Sequence, residues 1–341
     1  MYEKFYGFRE KPFNLTPDPD YFFLSSVHKR ALDYFVYGLE SGMGFIQVTG
    51  EIGSGKTTLI KCLLRNLSRE VKVAYVLHSK GTFVQLLRMI LEDLEVVPVD
   101  QKLGKEILLS RFRDYLVEQA RRHNSVVVII DEAQNLQLDV LEELRMLSNF
   151  ETEKAKLLQI VLVGQPELRD LLRRPELEQL RQRITVRFHL YPLNEEETRS
   201  YIRHRLRVAG SSGRVRFTAA ACHLIHRYSG GIPRLTNVAC DATLLAGFVE
   251  ERRVFNESFV RDALRELADE RPEALEGVGA EAAAAIAAAP AASARGGFLV
   301  AAVAAVLALG LAGVLYAAHQ GGGAPGAAGS LWESLVKLFQ W

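Results

Sequence analysis

Residues Gly50 to Thr57 spell Gly-Glu-Ile-Gly-Ser-Gly-Lys-Thr, a complete GxxxxGK[ST] string, and the apolar run Gly44–Thr49 leads straight into it. No other stretch constrains the fold as tightly, because each residue type meets a physical need. Gly50, Gly53 and Gly55 let the backbone curl and turn its N–H groups inward on a triphosphate. Glu51, Ile52 and Ser54 fill the variable positions and Thr58 follows, so Gly50–Thr58 is expected to line bound ATP. A helix over Gly55–Arg69 adds the positive end of its dipole. Its Leu59, Ile60, Leu63, Leu64 and Leu67 share one face. Lys56 would reach the β- and γ-phosphates, and the Thr57 hydroxyl would hold Mg²⁺. Strand before and helix after separate this run from a mere glycine turn.

The second half of such a site lies downstream. Val126–Ile130 is a continuous β-branched run, as a parallel strand buried on both faces requires. It ends in Asp131-Glu132. An acid at the carboxyl end of that strand sits beside the phosphate loop, where open α/β sheets bind ligands. Asp131 would hold the metal through water, and Glu132 would orient and deprotonate the attacking water. Without the loop at Gly50 the pair would read as two solvated acids. With it, the chain is expected to hydrolyse ATP or to descend from chains that do.

Composition narrows the partners. The formal charge is +1, so no global field points to nucleic acid or to an anionic surface. Cys62, Cys222 and Cys240 have no CxxC or metal spacing and read as buried reduced thiols. The eight histidines are scattered and form no metal cluster. Met1–Phe5 has no apolar stretch, so no secretory signal is expected there.

Strand and helix signals alternate up to Pro192. Strands are expected over Gly44–Thr49, Lys72–Leu77, Val126–Ile130, Leu158–Val163 and Ile184–Leu190. Helices are expected over Ser26–Ser41, Gly104–His123 and Leu138–Phe150. That alternation implies an α/β fold with crossover connections and a parallel sheet. After Pro192 the strand signals stop. Asn194-Glu-Glu-Glu197 is a capping box that starts a helix towards Gly210. Thr218 caps another that ends at Gly230-Gly231, and two more follow over Arg234–Val249 and Glu257–Leu267. Residues 271–297 are rich in Ala, Gly and Pro and read as a linker. Phe298–Ala318 is then 21 residues without a charge, long enough to span a hydrocarbon layer of ~30 Å. Arg271 and Arg295 precede it and Lys337 follows, a bias that places the amino-terminal part in the cytoplasm. The expected location is therefore the inner membrane, crossed once. In the tail, residues 319–341, Leu331, Trp332, Leu335, Leu338 and Phe339 share a helical face suited to a membrane interface or a partner.

A phosphate loop, a strand ending Asp-Glu, two more strands and a helical lid resemble the AAA+ ATPases. Several strings narrow this resemblance to the secretion-pathway protein A branch, ExeA/GspA. They are Tyr6-Gly-Phe8, Lys11-Pro-Phe13, Thr16-Pro-Asp-Pro19, Ser26-Val-His28, Asp131-Glu-Ala-Gln134, Gly164-Gln-Pro-Glu-Leu168, Leu180-Arg-Gln-Arg-Ile184 and Gly230-Gly-Ile-Pro-Arg234. The resemblance covers residues 1–268. It implies a P-loop AAA+ core over 1–192 and a lid over 193–270. It also implies a homo-oligomer that serves a secretion or pilus envelope machine through a partner protein. By the same resemblance Gln165 stands at the sensor 1 position and Arg234 at sensor 2. Arg183, or else Arg181, stands where such families send an arginine finger into the neighbouring subunit, worth ~10³-fold or more in rate. A solvated surface arginine is the alternative for either. Relatives often carry a wall-binding domain after the span, whereas 23 residues follow it here. The competing reading is a DNA-associated ATPase of the transposition type. Its support is the stretch Arg199–Arg234, with eight arginines and no acid. A third reading is a nucleotide-gated scaffold that turns over rarely.

Overall fold

Each of the five expected strands forms, and together they make one parallel sheet. The computed structural model describes residues 1–265, apart from 69, 78, 100, 102, 152–155 and 212. The expected linker, membrane span and amphipathic tail lie outside the described residues. Helices α1 (Tyr2–Tyr6) and α2 (Ser26–Glu40) precede β1 (Phe45–Gly50). Next come α3 (Lys56–Asn66), β2 (Val71–Val76), α4 (Phe83–Asp93), α5 (Lys105–Arg121) and β3 (Ser125–Ile130). The chain continues through α6 (Leu138–Leu147), β4 (Leu158–Gly164), α7 (Glu167–Leu172), α8 (Glu178–Arg183) and β5 (Ile184–Leu190). Strand order is β2-β3-β4-β1-β5, so β1 lies between β4 and the edge strand β5.

The period of two sorts each strand between two cores. Val126, Val128 and Ile130 of β3 face Leu87, Phe112 and Leu141 of α4, α5 and α6. Val127 and Ile129 face Phe35 of α2 and Ile60 and Leu63 of α3. With helices on both sides the strand must be apolar throughout. Each fully buried side chain of this kind contributes ~1.5–3 kcal/mol. Helix α4 was not singled out by the sequence, although Thr82 and Gln85 form a capping box at its start. Its Phe83, Leu86, Leu87, Ile90 and Leu91 are buried.

The lid consists of α9 (Glu195–Val208), β6 (Arg216–Phe217), α10 (Ala219–Ser229), α11 (Pro233–Val249), β7 (Val254–Phe255) and α12 (Glu257–Arg265). Here the structure corrects the expectation of helices alone, because β6 pairs in parallel with β7. Strands of two residues have no period to read. Their pairing follows from the Phe217 and Phe255 rings, whose centroids are 5.0 Å apart. The capping box at Asn194 and Glu197 forms as expected. Glu197 also accepts from the backbone N–H and hydroxyl of Ser26, at 3.1 and 2.7 Å, and so joins α9 to the start of α2.

The first fourteen residues strap onto the lid. Tyr6 donates its hydroxyl to the Leu244 carbonyl at 2.9 Å, and the Arg9 N–H donates to the Ala209 carbonyl at 2.8 Å. Arg205, buried in α9, donates to the carbonyls of Pro12 at 2.6 Å and Asn14 at 3.2 Å. Cys62, Cys222 and Cys240 are buried, and none is bridged.

Candidate nucleotide site

The carboxyl ends of β1, β3 and β4 meet where the chain leaves β1 for the far side of the sheet, the position at which open α/β sheets form a crevice. The phosphate loop lies there. Gly53 and Gly55 have φ of +80° and +99°, which a side chain would strain. Gly55 stands at the N-cap of α3, and no side chain caps that helix. Its first-turn N–H groups are thus available to an anion. Lys56 is buried, and its Nζ donates to the carbonyls of Gly50 at 2.7 Å and Glu51 at 3.0 Å. Burial lowers the pKa of this ammonium, and the charges of Glu132 and Asp131 oppose the shift.

His28 braces the loop from below. Its Nδ1 lies 2.7 Å from Ser25 Oγ, and its ring hydrogen-bonds the backbone of Ser54. Burial, above all, pushes its pKa down to about 4, so the ring is neutral at physiological pH.

The two acids after β3 are held differently. Asp131 accepts on Oδ2 from Thr57 Oγ1 at 3.3 Å and from the Tyr75 hydroxyl at 3.0 Å. Its Oδ1 accepts from the Glu132 N–H at 2.9 Å. Burial, then the Asp131 charge, raises the Tyr75 phenol well above its ordinary pKa, so Tyr75 remains a donor. Glu132 has φ +53°, a left-handed conformation that costs an ordinary residue ~1–3 kcal/mol. Its Oε2 accepts from Gln134 Nε2 at 2.6 Å and from Gln165 Nε2 at 3.1 Å. Gln134 Oε1 in turn accepts from the Gln165 N–H at 3.1 Å. Gly164 leaves the room for this, since a Cβ there would lie 2.6 Å from Gln134 Oε1.

The lid closes on the loop through Arg234. The Arg234 N–H donates to the Gly53 carbonyl at 3.2 Å. A Cβ on Gly53 would lie 2.5 Å from Arg234 Cβ. Between loop, lid and strap runs a cleft of about 250 Å³. Lys56, Thr57, Glu132, Gln165 and Arg234 line it, together with Pro17, Phe22 and Tyr201. Of the residues expected from sequence, the structure thus gathers Gly50–Thr58, Asp131, Glu132, Gln165 and Arg234. Arg183 stands apart from them. Its Nη1 donates to Ser148 Oγ at 2.8 Å, to Asn149 Oδ1 at 2.6 Å and to the Arg145 carbonyl at 3.3 Å, tying down the end of α6. Arg181 pairs with Glu178 at 2.6 Å.

The donor set fits a magnesium nucleotide. Thr57 Oγ1 and Asp131 Oδ2 are hard oxygens side by side, and Mg²⁺ takes its remaining ligands from phosphates and water.

Residues 39–172 match the AAA domain family. The chain is 46% identical over 248 residues, 73% of its length, to General secretion pathway protein A of Aeromonas hydrophila. It carries an AAA domain, and over the matched residues it is similar to secretion-pathway protein A. It spans 45% of that relative's length. The fold is similar to that of the Aeropyrum pernix ORC2 protein, with a TM-score of 0.58, 19% identity, and coverage of 76% of this chain and 72% of that one. CDC6P from Pyrobaculum aerophilum is similar at TM-score 0.58 and 17% identity, over 73% of this chain and 71% of that one. At these identities the likeness is one of fold alone.

Sequence reasoning assigned no role in this AAA domain to Tyr75, His28 or Gln134. His28 and Gln134 do stand inside strings that carry the family resemblance. Nothing local to β2 distinguishes Tyr75 from a core aromatic.

Proposed function

We propose that this chain is a membrane-anchored AAA+ ATPase that hydrolyses ATP to drive assembly of a secretion or pilus envelope machine. The observation that carries the hydrolytic part is the geometry at Glu132. Both amide donors load its Oε2, which leaves Oε1 to accept a proton from water. The water oxygen attacks the γ-phosphorus, the bond to the departing ADP oxygen breaks, and Glu132 takes the proton. Lys56 and Arg234 offset charge on the phosphates, and Gln165 links the γ-phosphate position to the base. Mg²⁺, held by Thr57 and Asp131, would supply further charge neutralisation.

The secretion role rests on the similarity to General secretion pathway protein A, and the anchoring on residues 298–318. Among the described residues no helix is long and apolar enough to cross a membrane. We assign the ATPase to the cytoplasmic side of the inner membrane, as a homo-oligomer with an envelope partner. ATP turnover by the full-length protein in detergent, together with identification of what co-purifies with it, tests this reading. A chain that binds ATP but turns over no faster than its Glu132→Gln variant is instead a nucleotide-gated scaffold.

The DNA-associated reading loses support from the placement of its arginines. Arg205 is buried against the strap and Arg234 lines the nucleotide cleft, so two of its eight arginines serve the fold and the site, whereas Arg199, Arg203, Arg207, Arg214 and Arg216 are exposed. Steeply salt-dependent DNA retention by this chain would restore that reading.

A further inference from the structure

A second groove, of about 500 Å³, lies beside β5 and shares no lining residue with the nucleotide cleft. Arg30, Arg169, Arg173, Arg181, Arg187 and His189 line it, and no acid does. Arg173 and Arg181 are paired with Asp170 and Glu178 of their own helices. Among the described residues Arg30 and Arg169 form no ion pair with a carboxylate, while Arg187 Nη2 donates to the Arg181 carbonyl at 2.6 Å and its charge acts on Glu178. His189 adds no charge at neutral pH, because burial and then Arg169 lower its pKa.

The groove also has a definite relation to the sheet. Gln47, Thr49, Arg187 and His189 lie on one face, and Gln47 pairs with Arg187 and Thr49 with His189 across β1 and β5. Arg30 and Tyr34 come from α2, which packs on the opposite face with Phe188, whose ring lies 6.2 Å from that of Tyr34. The groove is thus lined from both faces beside the outer edge of β5. That edge is paired on one side only. Unpaired N–H and C=O groups of an edge strand form a template for another strand, and Arg is the cation suited to bidentate carboxylate recognition.

We propose that this groove binds an acidic segment of a partner protein, added in extended form along β5. Alternate carboxylates of such a segment would meet the guanidiniums while its backbone pairs with the strand edge. A nucleic acid would satisfy the charges but not the edge.

The test uses the full-length protein in detergent and a fluorescein-labelled ten-residue peptide of alternating Glu and Val. Three probes accompany it: the same peptide N-methylated at alternate residues, its Lys-Val counterpart, and a single-stranded ten-nucleotide oligothymidine. Saturable anisotropy is expected for the Glu-Val peptide alone. It should weaken tenfold or more on N-methylation and in the Arg30→Glu, Arg169→Glu double variant. ATP binding by that variant should stay at the parent level, which shows that the fold is intact. Equal binding of the N-methylated peptide, competition by the oligothymidine at equal charge, or undiminished binding by the double variant would each overturn the proposal.

Discussion

Glu132 combines a left-handed backbone with a carboxylate fixed through one oxygen, an arrangement in which strain serves position. Glu132→Gln is expected to leave ATP affinity near the parent value and to lower kcat by ~10²–10⁴-fold, the range for loss of a general base. Lys56→Ala should instead weaken nucleotide binding itself. Isothermal titration beside a phosphate-release assay separates the two, and a Glu132→Gln protein with parental kcat would remove Glu132 as the base. His28 yields a pH prediction. In the fold it stays neutral down to about pH 4, whereas in the unfolded chain it takes up its proton near its ordinary pKa of 6.5. Between those values the unfolded state binds more protons, so stability is lost as pH falls from 6.5 to 4, by up to about 3 kcal/mol. Melting curves across that window should slope less in His28→Gln than in the parent, and identical slopes would assign the effect to other groups. Asp131 and Glu132 were legible because a buried strand must end at the crevice. Tyr75 was not, because its hydroxyl reaches Asp131 only once β2 and β3 are paired.

Between elements, the tightest joint is the turn that brings the lid to the loop. Gly231 has φ +75°, and a Cβ there would lie 1.9 Å from the Leu193 carbonyl oxygen, whose own N–H donates to the Gly231 carbonyl at 2.9 Å. Gly231→Ala must therefore move backbone at the base of the lid. The expected cost is ~2–4 kcal/mol, with weaker ATP binding because Arg234 is carried three residues on. Urea denaturation and ATP titration of the same variant check both parts, and an unchanged midpoint would show that the turn relaxes freely. The five core strands and most helices were readable from period and caps. β6 and β7 were not, since a two-residue pairing depends on neighbours that local sequence does not name.

For the whole molecule, the open question is what Arg183 does in an assembly. Within one chain it ties α8 to the end of α6. If it also completes a neighbour's site, mixing inactive Arg183→Ala with inactive Glu132→Gln protein should restore activity, because some interfaces then hold both groups. Co-assembled samples that stay inactive at every ratio would leave Arg183 its tether alone. Topology is the other prediction at this scale. A reporter fused after Trp341 should be active only when exported, as one span over 298–318 with an uncharged core implies. A cytoplasmic fusion on protein that fractionates away from membranes would end the anchored reading.

By itself the sequence determined whatever depends on contiguous residues. The loop at Gly50–Thr57 needs its glycines in place, and β3 must be apolar throughout to lie between two layers of helix. Asp131 and Glu132 follow from where that strand stops. Tertiary structure alone decided which distant groups converge. Gln165 reaches Glu132 across 33 residues, Arg205 of the lid holds the strap at Pro12, and five arginines from two helical layers and an edge strand meet at β5. The reason is physical: period and capping act within a few residues, whereas these contacts depend on strand register and on how helices cross the sheet.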